Sequence, residues 1–315
     1  YTVYKSSAAS DVYKRQLRDN DGWTIVDTGI FSDDVKSCWE KIFERYLDGK
    51  PVTRVIATHL HTDHTGVAGW ICERWDCPLW MSRADFYMCR VMAADRPSDV
   101  PEDAIRFYRR AGFTEERLDR YRQRFGQFGA SIAPLPAGYR RISDGQYLDI
   151  GGREWRAVIG HGHSPEHVCL YCPELKLIIG GDQLLPKITP NVSVQPSEPY
   201  ADPLREWIAS CSRFREQLPP NLLVLPAHEL LYEGLHERLT ALIDWHEVAL
   251  EKLYDLCAEP KRAVDVFPAL FKSEINDYSY FPATGEALAH LHCALGRRML
   301  TVEEDENGVA WWQQA

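Results

Sequence analysis

The sequence lacks three features that would place it in common classes of protein. It has no apolar run long enough to cross a bilayer, so we expect no membrane-spanning helix and no membrane partner. It has no positive charge excess, because 46 Asp and Glu residues outnumber 36 Lys and Arg residues, with a formal net charge of −10. Binding nucleic acid needs a dominant basic face, so we expect no nucleic-acid partner. The nine cysteines follow no disulfide spacing, which is typical of reduced thiols in a cytoplasmic protein.

The beginning of the chain also lacks a clear pattern. Residues 1–16 contain no apolar core of a signal peptide and no strand or helix period, and we interpret them as a non-native or disordered leader. A chain of 315 residues suits one large domain with an appendage. We predict a catalytic domain over residues 17–232, with a helical insert at 84–130, and a C-terminal module over residues 233–315.

Beyond the leader, strand patterns alternate with helix patterns. Residues 22–30 have the pattern of a strand ending in a turn, and residues 32–47 that of a helix with Ser32 as its N-cap. Residues 52–59 predict a second strand, and strand patterns return after residue 139 with Asp-Gly and Gly-Gly turns between them. This alternation indicates an α/β fold, and we expect a four-layer αββα sandwich in which helices cover two packed sheets.

Two regions depart from that alternation. Residues 84–130 are helical in pattern and rich in aromatic residues and arginine, which predicts an insert in the sandwich. After residue 232 the pattern is that of a long amphipathic helix, further helices and a hairpin around Asn307-Gly308. Helices followed by a hairpin favour a small winged-helix-like module at the C-terminus.

The segment IATHLHTDHTGVAGW, residues 56–70, contains four side chains that commonly bind metals: His59, His61, Asp63 and His64. Imidazole nitrogens and carboxylate oxygens are ligands of zinc and similar ions. Alternation along an extended segment puts His59 and His61 on one side, whereas Asp63 and His64 follow a bend. The spacing therefore suits two metal ions that lie side by side.

Three further polar side chains stand where strands are predicted to end. His163 follows the apolar run that ends at Gly160, Asp182 follows KLIIGG, and His228 follows LLVLPA. A loop that leaves a buried strand has a rigid base and can hold ligands in fixed positions. We expect these three side chains to complete the metal site.

Together these motifs resemble those of the metallo-β-lactamase-fold hydrolases, over about residues 20–232. The matching residues are His59-Leu60-His61-Thr62-Asp63-His64, Gly162 to His167, Gly181-Asp182 and Pro226-Ala227-His228. The resemblance implies one metal ion on His59, His61 and His163, a second on Asp63, His64 and His228, and Asp182 as the bridge between them. It also implies a structural role for Asp27, and the C-terminal module is similar to the winged-helix extension of one lactamase-like branch.

The residues around His163 need separate interpretation. The resemblance selects His163 as the ligand because it directly precedes Ser-Pro. We interpret His161 as an exposed residue or a neighbour of the ligands, and His167 as structural. Glu166 stands where the family usually has glycine.

The resemblance implies two divalent metal ions as cofactors, with Zn²⁺ first and iron or manganese as alternatives. It implies hydrolysis by a metal-bridging hydroxide, with Asp63 and Asp182 as catalytic residues. Asp63 can bind metal and can also orient the hydroxide or accept its proton.

The expected substrate is a small ester-type molecule, either a lactone or an acyl thioester, with a β-lactam as a further option. In relatives a segment at the position of residues 84–130 covers the metal site, so we expect a lid with an apolar wall. We interpret most aromatics of this insert as its own core and most of its arginines as solvent-exposed, with a carboxylate or the phosphates of a coenzyme A ester as the alternative partner for one or two of them. Alternatives are a phosphodiesterase or nuclease, and a non-hydrolytic iron enzyme on the same fold. The C-terminal module is acidic, which disfavours phosphate binding, and we interpret it as a scaffold, a pocket wall or a contact in a homodimer.

Overall fold

The structure is a computed structural model that describes residues 2–5, 13–96 and 100–315. The strands are β1 Thr2–Lys5, β2 Tyr13–Arg18, β3 Trp23–Val26, β4 Val52–Ile56, β5 Leu79–Met81, β6 Arg140–Arg141, β7 Tyr147–Ile150, β8 Arg153–Gly160, β9 His167–Cys172, β10 Leu177–Gly181, β11 Leu223–Pro226, β12 Leu300–Glu304 and β13 Ala310–Gln314. The helices are α1 Asp33–Tyr46, α2 Thr62–Thr65, α3 Ala68–Trp75, α4 Arg83–Ala94, α5 Glu102–Arg110, α6 Glu115–Arg124, α7 Pro203–Gln217, α8 Leu235–Leu256, α9 Phe267–Leu270 and α10 Tyr280–Gly296.

Two large sheets form the centre of the described chain. The first has the strand order β1-β2-β3-β4-β5-β6, and the second has the order β11-β10-β9-β8-β7. Strands β3 to β6 are parallel, so their carboxyl ends lie along one edge. In the second sheet β9 runs antiparallel to β8 and β10, whereas β10 and β11 are parallel. Strands β8, β10 and β11 therefore also end at a common edge.

Three apolar cores separate four layers, which confirms the predicted sandwich. Val26 of β3 and Ile179 of β10 belong to the core between the two sheets. Their chain neighbours Ile25 and Ile178 face the opposite way, into the cores under the outer helices. This follows from strand geometry, since successive side chains point to opposite faces of a sheet. Both faces of these strands are covered, which explains why the strands are apolar throughout rather than alternating.

The first helix begins as its sequence predicts. The hydroxyl of Ser32 accepts a hydrogen bond from the backbone N–H of Val35, and Asp33 and Asp34 occupy the first turn, where acidic residues are favourable. Trp39 of α1 is buried, and its indole N–H donates to the carbonyl of Thr28. This contact attaches the helix to the turn that follows β3.

Near the start of the chain, β2 crosses the boundary that we predicted between residues 16 and 17. It pairs antiparallel with β3, and Arg15 and Gln16 are buried. Backbone hydrogen bonds to a neighbouring strand hold these residues in the sheet. Arg15 and Gln16 are polar although buried, so the sequence shows no apolar strand pattern there. Strand β1 continues the sheet, whereas residues 1 and 6–12 of the predicted leader lie outside the described residues.

The insert is helical as predicted and packs against the C-terminal part of the chain. Phe107, Tyr108 and Phe113 are buried in the core that also contains Leu291 of α10. Tyr108 and Phe113 lie edge-on to Phe281, with ring centroids 5.5 and 5.4 Å apart. These aromatic residues are therefore mainly the core between the insert and α10.

Most of the arginines of the insert have acidic partners within the chain. Arg109 contacts Glu115, Arg110 contacts Glu304 and Arg117 contacts Asp277; these pairs join the insert to itself or to the C-terminal residues. Arg124 lies 4.9 Å from the ring centroid of Phe281. The positive excess of the insert is thus largely neutralised in the fold.

At the C-terminus, β12 and β13 pair antiparallel around the predicted turn at Asn307-Gly308. The classification of this region as a winged helix stays a prediction. All nine cysteines lie in the described residues and are free thiols. Among the helices of the described chain, none combines the length and the apolar character that a membrane span requires.

Candidate metal centre

The HLHTDH motif begins in the loop after β4 and continues into the single helical turn α2. His59 and His61 lie in the loop, and Asp63 and His64 lie in the turn. The hydroxyl of Thr65 donates to the carbonyls of Leu60 and His61, which closes the turn onto the loop. A bend after His61 therefore separates two pairs of side chains, as the sequence predicted.

Three other strand ends contribute the remaining side chains. His163 follows β8, Asp182 follows β10 and His228 follows β11. Their strands end at the common edge of the second sheet, which faces the loop after β4. The structure therefore brings together all seven residues that the sequence singled out as ligands.

The ligand atoms of these residues form two groups. The first group consists of His59, His61, His163 and Asp182, and the second of Asp63, His64 and His228. Within each group, the atoms that could bind a metal lie within 4.8 Å of one another.

Asp182 belongs to the first group and also contacts the second, because its two oxygens face different groups. Oδ2 is 3.4 Å from Nε2 of His163 and 4.0 Å from Nε2 of His59, in the first group. Oδ1 is 3.5 Å from Nε2 of His64 and 3.4 Å from Nε2 of His228, in the second. One carboxylate can therefore bridge two ions.

Asp27, which the resemblance assigns a structural role, orients histidines of both groups. Its Oδ2 accepts from Nδ1 of His64 at 2.9 Å and from the hydroxyl of Thr58, also at 2.9 Å. Because that hydroxyl donates to Asp27, it accepts from Nδ1 of His59 at 3.0 Å. In both rings Nδ1 is occupied, so Nε2 is directed toward the site. Such outer contacts fix the tautomer of metal-binding histidines.

His163 is oriented from the other side of the site. Its Nδ1 donates to the carbonyl of Asn191 at 2.8 Å. The side-chain amide of Asn191 donates to Glu286 of α10 at 2.9 Å. A contact path thus connects a predicted ligand to the C-terminal helix, and the sequence gives no signal for it.

The donor set fits divalent cations. Nε2 of His59 and Nε2 of His163 lie 3.2 Å apart, and both rings use Nδ1 as the donor to another group. Two lone pairs that face each other repel unless a cation lies against them. In addition, Nε2 of His64 and Oδ1 of Asp182 are buried and have no hydrogen-bond partner, which is a costly arrangement unless an ion satisfies them.

Burial and neighbouring charges set the protonation of the site. Burial holds the pKa of His59 well below its usual range and lowers that of His61 to about 3. Burial opposes a charge on His64, but the carboxylates of Asp63, Asp182 and Asp27 outweigh it and raise the pKa of His64 well above its usual range. His59 and His61 are thus neutral, the form in which imidazole binds metal.

His161 and His167 differ in their relation to the site. Nδ1 of His161 donates to the carbonyl of Pro165, and His161 is in neither group. His167 is fully buried, stacks on His59 at 4.7 Å between ring centroids and accepts from the backbone N–H of Asp182. Gly181 allows this approach, since its φ is +51° and a Cβ there would lie 2.4 Å from Cε1 of His167. His167 supports two predicted ligands, consistent with its structural interpretation.

A cavity of about 430 Å³ lies between the insert and the loop that precedes α7. Apolar and aromatic side chains of the insert form much of its wall, and its polar lining consists of Asp95, Asp103, Arg124, Gln195 and Ser197. Gln195 is four residues from Asn191, whose carbonyl accepts from His163, so one loop contacts both the cavity and the first group.

Residues 17–228 match the Metallo-beta-lactamase superfamily, and residues 250–315 match the family described as Metallo-beta-lactamase-like, C-terminal domain. The first match covers more than half of the chain, so the chain belongs to the metallo-beta-lactamase superfamily. It is an enzyme of the metal-dependent hydrolase class that this superfamily defines.

Several known proteins are similar to this chain. A beta-lactamase domain protein from Burkholderia ambifaria is 36% identical, with 99% of this chain and 91% of that chain covered and a TM-score of 0.90. The family protein TTHA1429 from Thermus thermophilus shares the fold at 22% identity, with 96% and 94% covered and a TM-score of 0.80. The probable metallo-hydrolase YflN of Bacillus subtilis is 25% identical over 145 residues. These residues make up 45% of this chain and about half (48%) of that relative.

Proposed function

We propose that this protein is a dinuclear metal-dependent hydrolase that cleaves a small ester-type carbonyl substrate, a lactone or an acyl thioester. The observation that carries the proposal is the position of Asp182, whose two oxygens face two separate groups of ligand atoms. In this proposal residues 17–232 form the catalytic domain and residues 233–315 the C-terminal module.

When bound, two divalent cations, of which Zn²⁺ is our first choice, would supply an activated water nucleophile and polarise the substrate carbonyl. The first group would hold one cation with three imidazoles, and the second would hold the other with two imidazoles and one carboxylate, with Asp182 shared. No serine or cysteine nucleophile is required.

The side chains themselves have distinct roles in the proposal. Asp63 is the more accessible carboxylate of the two, with 27% of its side chain exposed against 9% for Asp182. It is thus placed to orient the attacking water and to accept its proton at a carboxylate oxygen. The buried Asp182 holds the two groups at a fixed separation.

The surroundings support a small, partly apolar substrate over a polyanion. One part of the cavity beside the insert is lined by Met88, Met92, Phe125 and Phe128, which suits an apolar acyl chain or ring. The arginines of the insert are mostly paired with acidic residues, and the C-terminal hairpin adds Glu303 and Glu304. These charges disfavour the phosphate contacts of a nucleic acid.

A substrate panel tests the proposal. Metal-free protein is reconstituted with zinc, manganese or iron and assayed on aliphatic lactones, acyl thioesters, a chromogenic β-lactam and a bis-aryl phosphate. Turnover of a lactone or thioester, abolished by a chelator and restored by metal, is the expected result. Turnover of the phosphodiester alone would show a phosphodiesterase instead. Redox-active iron without hydrolysis on any substrate would show the non-hydrolytic alternative.

A further inference from the structure

Asp85 is a fully buried carboxylate in the first turn of α4 that the hydrolytic chemistry leaves without a role. Its Oδ1 accepts from the backbone N–H of Leu60 at 2.9 Å. Its Oδ2 accepts from the backbone N–H of Glu166 at 2.7 Å and from the hydroxyl of Ser82 at 3.1 Å. One side chain therefore binds two backbone segments that are far apart in the sequence.

Both of these segments carry proposed ligands of the first group. Leu60 lies between His59 and His61, and Glu166 lies three residues after His163. The three imidazoles of the first group thus project from two loops that share a single buried carboxylate behind them. The distance between those loops determines whether the imidazoles converge on one point.

Glu166 completes the connection from the opposite side. Its Oε2 accepts from the backbone N–H of Ala84 at 2.9 Å, in the first turn of α4. The first N–H groups of a helix have no partner within the helix and need an acceptor. A glycine, which the resemblance leads us to expect at position 166, could not supply it. The departure from the family pattern therefore has a structural explanation.

The arrangement is costly to disturb. Burial raises the pKa of Asp85, while the N–H and O–H donors around it favour the charged form. A buried polar group is stable only when its hydrogen bonds are satisfied. Loss of the carboxylate would leave the N–H groups of Leu60 and Glu166 without their acceptor, and the two loops would lose their common attachment.

We propose that Asp85, supported by Glu166, is a positioning residue that holds the two loops of the first group at the separation a metal ion requires. The inference rests on the proposed function, because it presumes a metal ion at the first group. Asp85 acts through backbone N–H groups and not by touching the ion. Its hydrogen bonds reach no residue of the second group, and Leu60 lies between two residues of the first, so its effect is larger at the first group.

Co²⁺ titration of metal-free protein, followed by its visible spectrum and by calorimetry, tests this selectivity. The wild type is expected to bind two ions, and His228→Ala identifies the signal of the first group. In Asp85→Asn, affinity at the first group should fall about 10–100-fold, and affinity at the second group should fall clearly less. Glu166→Ala should show a smaller loss in the same direction, because one of the two reciprocal bonds remains.

Asp19→Asn is the matched control. Asp19 is also buried and accepts from the backbone N–H of Gly151 and from Arg54, at the opposite end of β3 from the metal loops. This variant should unfold at a lower temperature and keep both Co²⁺ affinities.

Each outcome bears on one of the two proposals. A wild type that binds no Co²⁺ overturns the proposed function and with it this inference. A wild type with two ions, and variants at Asp85 and Glu166 with wild-type affinities at both groups, overturns the inference alone. An equal loss at both groups also overturns it, since selectivity would be absent. Should Asp85→Asn not fold, Glu166→Ala decides by the same criteria.

Discussion

Nδ1 of His64 lies 2.9 Å from Oδ2 of Asp27, and both side chains are buried. Asp27 belongs to the turn after β3, whereas His64 belongs to α2. The same carboxylate reaches His59 through the hydroxyl of Thr58. A residue that binds no metal in the proposed centre thus sets the ring orientation of one histidine in each group.

Asp27→Asn should therefore weaken metal binding while leaving the fold in place. Oδ2 of Asp27 accepts from His64 and from the Thr58 hydroxyl, and Oδ1 accepts from the backbone N–H of Thr58. An amide has only one acceptor oxygen, so one of these two sets of contacts is lost and the orientation of the rings is weakened. We expect an affinity loss of about 10–100-fold, measured as zinc per chain after dialysis against buffered free zinc. The exposed Asp33→Asn is the control, and wild-type zinc content in Asp27→Asn would contradict the prediction.

Replacement of the bridging residue should act on both ions together. Because its two oxygens face different groups, Asp182→Ala removes a ligand from each, and metal content should fall from two ions per chain to below one. The measurement is elemental analysis of the dialysed variant, with circular dichroism to verify folding. A folded variant that retains one ion at full occupancy would show that Asp182 serves a single group.

Because of Glu286, we expect the free energy of unfolding to fall as the pH rises. Burial raises its pKa from the ordinary value of 4.5 to about 7. The folded state therefore keeps its proton over a range where the unfolded state loses it, and unfolding free energy decreases between pH 4.5 and 7, by up to about 3 kcal/mol. Glu286→Gln keeps an acceptor for Asn191 and removes this titration. Chemical denaturation of Glu286→Gln across that range should show an unfolding free energy that depends less on pH than in the wild type. The same pH dependence in both proteins would contradict the raised pKa of Glu286.

Because of the buried pair His246 and His290, we expect the free energy of unfolding to fall as the pH decreases. Nδ1 of His246 lies 3.2 Å from Nε2 of His290, and burial lowers the two pKa values to about 2 and about 4. Their stabilising effect is complete above the unfolded pKa of 6.5 and is lost as the pH falls through the folded values. His246→Gln should reduce the acid-induced loss of unfolding free energy between pH 6.5 and 4 by up to about 3 kcal/mol. The same slope in variant and wild type would show that His246 does not drive acid unfolding.

The predicted ligands could be found in the sequence because each one follows a strand. Three histidines and an aspartate within six positions, and single residues directly after apolar runs, are local signals that survive without knowledge of the fold. The sandwich could also be predicted, since strands that are apolar on both faces need helices on either side. Ser32 is a similar case, because capping depends on the residues next to it in the chain.

The supporting residues left no such signal. In the sequence, Asp85 is indistinguishable from the acidic residues that are common in the first turn of a helix. Its role depends on the backbone N–H of Glu166, which is 81 positions away in the chain. Glu286 contacts Asn191 across 95 positions, and its elevated pKa arises only from burial. The role of the insert is a further example, since Arg110 and Arg117 could be assigned to a substrate anion until their acidic partners in the C-terminal region were located.

The sequence by itself determined the ligand types, their order and their places at strand ends, because these depend on local chemistry and on the period of the strands. The tertiary structure alone decided which oxygen of Asp182 faces which group of predicted ligands, which side chains orient the rings, and how the C-terminal helix reaches His163. Those properties depend on distances between segments far apart in the chain. Such distances are set by the packing of two sheets and three cores, which no local pattern contains.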